Sequence, residues 1–345
     1  MSRIIPPVLI GLVVVVYMMW KQLDVDQMKE IPWTGLTIFW IALSIFLFVL
    51  RHLFYAWRLK ILTGKSFSWS KCIELIFIWE FSSAVSPSSI GGSAVALFLL
   101  AQEKIGAAKT VSVILYTMVL DTLFFLITIP LLVFTIGPHV IRPGLTNFNL
   151  SGYTLTLFII YIFVFSYGII FFYGLFFSPE KIRALLLWLS NRKWLKRWKE
   201  NLSQIGDDVV KTAKEVSEEN MFFHFKSFFA TCGAWITRFL AINCLIIALI
   251  HDTPLDGYTQ YLLYGRAEIM HSITQFSPTP GGAGVMEYLF GGFFTDYIPK
   301  GIAFLVALLW RIITYYPYLI VGVIIIPNWF RNVMNRRRIE KLDKT

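Results

Sequence analysis

The stretch that most limits how this chain can fold is Phe276-Ser277-Pro278-Thr279-Pro280-Gly281-Gly282-Ala283-Gly284-Val285-Met286-Glu287. It sets two prolines, three glycines and one carboxylate inside nearly apolar surroundings. Proline removes a backbone donor and glycine permits positive φ, so a helix entering this stretch breaks. In hydrocarbon a broken helix leaves peptide groups unpaired at a cost of several kcal/mol each, and it persists only where protein or a water-filled cavity covers it. A surface loop between two helices is the plain alternative. A broken, re-entrant helix lining a site within the membrane fits the surroundings better. Ser86-Pro87-Ser88-Ser89-Ile90-Gly91-Gly92-Ser93-Ala94 repeats the order Ser-Pro, small residues, Gly-Gly, small residue. Such a pair of interrupted apolar segments in two halves of a chain points to a transporter's binding site.

Composition supports the membrane setting. Hydrophobic residues make up 57% of the chain and charged residues only 15%, in apolar runs too many and too long for a soluble core. The net charge of +10 is confined to certain loops and the tail, which suits an anionic membrane surface and not nucleic acid. Cys72, Cys232 and Cys244 are scattered, without zinc spacing or a disulfide pattern. Neither a cofactor motif, a metal-ligand cluster, a phosphate-binding P-loop nor a nucleophile–base pair stands out, so signals for an enzyme are weak. The N-terminal apolar run lacks a small-residue cleavage site and reads as a retained first helix.

Taken in order, the expected fold is an all-α polytopic membrane protein forming one domain over residues 1–345. It has about six full transmembrane helices and two re-entrant broken-helix hairpins, in inverted halves of roughly 1–151 and 152–330. The spans are Ile4–Trp20, Ile31–Leu50, Val111–Ile136, Gly152–Phe177, Met221–Ile250 and Gly301–Pro327. Arg51, Arg58, Lys60, Lys65 and Lys71, with no acid among them, mark a cytoplasmic segment whose aromatics suit a helix in the interface. Residues 178–220 begin as a basic amphipathic surface helix carrying Lys181, Arg183, Arg192, Lys193, Lys196, Arg197 and Lys199; residues 328–345 form a basic tail. Both termini then lie in the cytoplasm. Counting each hairpin as two crossings leaves the same loops on the same sides.

Ionisable residues inside spans are costly and therefore functional candidates. Here they are Glu80, Asp121, Arg238, Glu268, His271, Glu287 and Arg311, with Arg266 nearer the rim. Glu80 and His271 each stand seven positions before the proline of a Ser-Pro pair, on the helix leading into a break. Asp121 lies 30 positions after Gly91 and Arg311 lies 30 after Gly281, which suggests that the two pair near the midplane, for headgroup binding or merely to fix helix register. A half-helix starting at the Gly281, Gly282, Gly284 turn would offer N–H groups to an anion such as phosphate. Arg238 or Arg311 would add a bidentate guanidinium. Hydroxyls of Ser86 and Ser277, beside Pro87, Pro278 and Pro280, either join the site or satisfy backbone freed at Gly91, Gly92 and the second break.

Residues 277–287 resemble the lysylphosphatidylglycerol synthase transmembrane, or flippase-like, family. Ser86-Pro87…Gly91-Gly92 through Leu99-Leu100-Ala101 and Gly106 to Asp121 is similar to that family's first half, and Trp310-Arg311-Ile-Ile-Thr-Tyr-Tyr-Pro317 to its last helix. The resemblance implies a stand-alone membrane domain, without the soluble aminoacyltransferase of fused relatives, that moves a lipid between leaflets of a bacterial cytoplasmic membrane. The expected partners are an anionic phospholipid, such as an aminoacylated phosphatidylglycerol, or a prenyl-phosphate lipid. A homodimer, or association with a lipid-processing enzyme, is compatible with the sequence. The alternatives are an intramembrane lipid-modifying transferase and a non-transporting partner of a lipid-processing complex.

Overall fold

The computed structural model describes residues 29, 31, 33–64, 66–85, 96, 99–103, 105, 107–147, 152–191, 199–275, 277, 279, 282 and 284–342. The expected first span Ile4–Trp20, the first break with Ser86, Pro87, Gly91 and Gly92, and Pro278, Pro280 and Gly281 of the second lie outside these residues, as do Arg192, Lys193, Lys196 and Arg197 of the basic loop. Regular structure among the described residues is helical. In order the helices are α1 (Gly35–Leu62), α2 (Trp69–Val85), α3 (Ala107–Ile136), α4 (Gly152–Phe176), α5 (Pro179–Ser190), α6 (Lys199–Ser217), α7 (Met221–Leu249), α8 (Gly257–Thr274), α9 (Val285–Phe293), α10 (Lys300–Thr314) and α11 (Tyr316–Leu342). Helices α1, α3 and α7 and the α10–α11 run hold stretches long and apolar enough to cross a membrane. At nine residues α9 is about 14 Å long, less than half of a hydrocarbon core.

Helix α1 differs from the expectation. Its N-cap is Thr34, whose hydroxyl accepts from the N–H of Thr37, and it continues past Leu50 until Gly64, at φ 62°, turns the chain. Arg51 and Arg58 are therefore buried positions of a long helix, not part of a solvated cytoplasmic segment. Their spacing of seven puts them two turns apart on one face with Tyr55 between them.

Helices α1 and α7 form the central antiparallel pair. Thr37 Oγ1 lies 2.9 Å from His251 Nε2, Ser44 Oγ donates to the Ala241 carbonyl at 3.0 Å, and Arg58 Nη1 donates to Thr231 Oγ1 at 3.2 Å. Helix α2 starts at the C-terminal end of α1, where Lys60 Nζ donates to the Phe67 carbonyl, and runs back along it. Residues 99–103 lie at the same end. There Glu103, nearly fully buried, accepts from Lys71 Nζ at 2.9 Å and from Trp329 Nε1 at 2.6 Å. Helix α8 starts at the opposite end, where the Asp256 side chain caps it by accepting from the Thr259 N–H; hydrogen bonds from the Thr259 hydroxyl and then its N–H hold the Asp256 carboxyl below its ordinary range. Arg266 on α8 then meets Asp296, just beyond α9, at 2.5 Å, so this second arm also turns back on itself.

The last long run bends at Tyr315. Pro317, in the first turn of α11, lacks the N–H that would have bonded the carbonyl of residue 313. The Tyr315 hydroxyl donates to the Ala84 carbonyl in the final turn of α2, tying this bend to the end of that helix. Close α2–α11 packing rests on Gly322, where an added Cβ would stand 2.4–2.6 Å from Cδ2, Cγ and Cβ of Phe81. Gly322→Ala is expected to destabilise the protein by about 1–3 kcal/mol through overpacking. Gly291→Ala, with nothing within 4 Å of the new methyl, should be neutral in the same thermal unfolding measurement in detergent.

Candidate functional site

A cavity of about 520 Å³ lies at the centre of the bundle. Residues at the C-terminal ends of α2 (Ser83, Ala84) and α8 (Thr274, Gln275) both line it. Two helices that start at opposite ends of the bundle thus stop at one chamber. Its walls include four arginines, Arg51, Arg58, Arg238 and Arg311, two carboxylates, Glu80 and Asp121, and His271. Trp79, Phe125, Phe163, Trp235, Trp310 and Tyr318 supply most of its aromatic surface.

Two of the arginines are held by α1. Arg51 Nη2 donates to Glu80 Oε2 at 2.7 Å and Nη1 to the Tyr318 hydroxyl at 2.9 Å, joining α1 to α2 and α11. His52 completes this corner, with Nδ1 3.2 Å from the Tyr318 hydroxyl and Nε2 3.2 Å from the Ile73 carbonyl. Two turns on, Arg58 Nη1 donates to Asp121 Oδ1 at 2.5 Å, and Trp235 Nε1 donates to the same oxygen at 2.9 Å, joining α1 to α3 and α7. The Tyr55 ring lies between the two guanidiniums, each 4.8 Å from its centroid.

The second break is stapled by Glu287. Gly282 and Gly284 adopt φ of 69° and 83°, conformations glycine takes without strain. Glu287 Oε2 accepts from the Gly284 N–H at 2.8 Å, while Oε1 lies 2.7 Å from Arg311 Nε. Both partners of that ion pair are almost fully buried, with side-chain exposures of 3% and 1%. The Gly284 N–H is therefore satisfied by the chain itself and not held open for an anion. Ser277 Oγ accepts from the Thr279 N–H at 3.3 Å and lies 2.8 Å from Thr279 Oγ1, so these hydroxyls brace the turn. The expected Asp121–Arg311 pair does not form. Asp121 is taken by Arg58 and Arg311 by Glu287, because each acid has a nearer arginine on an adjacent helix.

Arg238 stands apart. Among the described residues it makes no salt bridge, and its buried Nε has no hydrogen bond. Its guanidinium instead faces the rings of Trp235 and Trp310 at 5.8 and 5.4 Å. His271 is set among Trp235, Phe125 and Phe239, with ring centroids 5.2–6.3 Å away.

The cavity thus gathers Glu80, Asp121, Arg238, His271, Ser277, Gly282 and Arg311, with Glu287 directly behind Arg311. Glu268 is not on it. It is fully buried one turn before His271, and its Oε1 is hydrogen-bonded to the Thr128 hydroxyl of α3. Arg51, Arg58 and Tyr318 are lining residues that a reading by charge content passes over. The seven-residue spacing of the arginines, with Tyr55 between them, is the signal that would have found the first two.

Comparisons with known proteins place the chain among membrane proteins. The profile of the family described as lysylphosphatidylglycerol synthase TM region matches residues 5–322. The chain belongs to that family. It is also similar to a UPF0104 membrane protein of Archaeoglobus fulgidus, 25% identical over 283 residues that cover 79% of this chain and 81% of the relative. No solved structure matches. This family member is membrane-embedded, and the helices that carry its apolar spans enclose the charged cavity.

Removing one partner of a buried ion pair is strongly destabilising, whereas replacing both by apolar residues is far less so. Glu287→Ala is expected to cost about 3–5 kcal/mol, and Glu287→Ala with Arg311→Leu to recover most of it, measured by thermal unfolding in detergent. Full stability in the Glu287→Ala protein would contradict the stapling role.

Proposed function

We propose that the chain moves a lipid with an anionic headgroup between the leaflets of a cell membrane. Arg238 carries this reading. The other three cavity arginines each have a carboxylate, Glu80, Asp121 or Glu287, so their charges cancel within the protein. Arg238 leaves one positive charge in a setting where an isolated charge is expensive. An anion from outside supplies the missing partner, and a phosphate oxygen pair matches the guanidinium fork. Two tryptophan faces hold the cation until that anion arrives.

The cavity volume lies within the range of small-ligand sites and suits a headgroup, with the acyl or prenyl chains left in the bilayer. Two broken arms from opposite ends, and an antiparallel α1–α7 pair ahead of them, support a site reached alternately from either side, as an inverted repeat provides. The basic segments after α4 and at the end of α11 support a cytoplasmic location for both termini. An aminoacyl-phosphatidylglycerol-like phospholipid and a prenyl-phosphate lipid both present the required phosphate.

The test is translocation of labelled phosphatidylglycerol and of a labelled prenyl phosphate in proteoliposomes. Arg238→Gln should slow movement at least about tenfold, the loss of one charge-assisted contact of about 1.5–3 kcal/mol, without loss of folded protein. Movement that is equally fast in both proteins would contradict the reading. Recovery of a covalently altered lipid would favour a transferase.

A further inference from the structure

The buried carboxyl of Glu268 has no role in the cavity lining, and its surroundings point to a second bound species. Thr128 Oγ1 lies 2.8 Å from the Phe124 carbonyl and is also hydrogen-bonded to Glu268 Oε1. A hydroxyl has one hydrogen and cannot serve two acceptors at once. A proton on the carboxyl resolves the conflict: Glu268 donates to Thr128 Oγ1, and Thr128 donates to the Phe124 carbonyl. The charges nearby agree. The Tyr264 hydroxyl is hydrogen-bonded to Glu268 from its own helix, with Cys232 of α7 near that tyrosine, and α3 contributes the Thr128 hydroxyl. Arg266 is committed to Asp296 and the His139 carbonyl, and Arg311 faces Glu287. Among the described residues no cation forms an ion pair with Glu268.

We propose that Glu268 is a proton-binding site coupled to the anion site in the cavity, so that a proton and an anionic headgroup are carried together. This rests on the transport reading above. The exchange route is short. His271 is three positions on along α8, a neighbouring position on the helix face, and it lines the cavity with an unbonded Nδ1. Rotation of the two side chains brings the Glu268 O–H to Nδ1; that O–H bond then breaks, Nδ1 takes the proton, and water in the cavity receives it from the ring. With the proton on Glu268 the cavity keeps its full positive charge and favours the anion. Once the proton leaves, a carboxylate one turn away opposes the anion and favours its release. Linkage makes the effect reciprocal, so bound anion also favours bound proton.

Two measurements test this. Infrared difference spectroscopy of the purified protein across a pH titration should show the carbonyl stretch of a protonated carboxyl, absent in Glu268→Gln. The glutamine copies the shape of the protonated acid, so the variant should keep the wild-type melting temperature. In proteoliposomes with an imposed pH gradient, labelled anionic lipid should accumulate in the leaflet facing the alkaline compartment, whereas Glu268→Gln should equilibrate the lipid without responding to the gradient. Absence of the Glu268 band, or wild-type movement indifferent to the gradient, would overturn proton coupling while leaving transport intact. Absence of any lipid movement in wild type would instead sink the transport reading on which it rests.

Discussion

The structure depends on balancing charge inside a hydrocarbon-bounded bundle. Helix α1 carries two arginines two turns apart, and neither is stable there alone. Arg51 is satisfied only because Glu80 arrives on α2 and Tyr318 on α11. Arg58 is satisfied only because Asp121 arrives on α3 and Trp235 orients that carboxylate from α7. Four helices are thereby drawn to one face of α1, and the space they cannot fill is the cavity. Apolar packing alone would leave the register of such helices loosely specified, since lipid is as good a neighbour for leucine as another helix.

The same constraint explains why both broken arms end where they do. A helix that stops inside a membrane exposes carbonyls at one end and N–H groups at the start of the next helix. Tyr315 covers the Ala84 carbonyl near the first break, and Glu287 covers the Gly284 N–H at the second. Glu287 does this while facing Arg311, so one carboxylate serves the break and the ion pair together. That economy leaves Arg238 as the cavity arginine that faces aromatic rings and makes no salt bridge among the described residues.

The second break was legible in the sequence because proline and glycine act locally, and Gly282 and Gly284 there take positive φ; the matching stretch from Ser86 to Gly92 lies outside the described residues. That His271 precedes the second break followed from simple spacing. The partners of the charges were not legible. Equal distances of 30 residues suggested that Asp121 and Arg311 meet, but equivalent positions in two halves need not touch, and each found an arginine or glutamate on a neighbouring helix. Charge content places Arg51 and Arg58 in a cytoplasmic, interfacial segment; their helical phase, with Tyr55 between them, carries the better information. Glu268 and His271 differ by only about 60° around α8, yet one faces Thr128 and the other the cavity. Sequence periodicity cannot separate two positions that close.

The proposed transport requires an anionic headgroup held on Arg238 in the cavity. Native mass spectrometry of the protein released from membranes addresses it most directly, because it reads the bound lipid without any assay of movement. The wild-type protein should retain a phosphate-bearing lipid and Arg238→Gln should lose it, with the folded state unchanged. Retention of the same lipid by both proteins, or a wild-type protein that carries only neutral lipid, would contradict it.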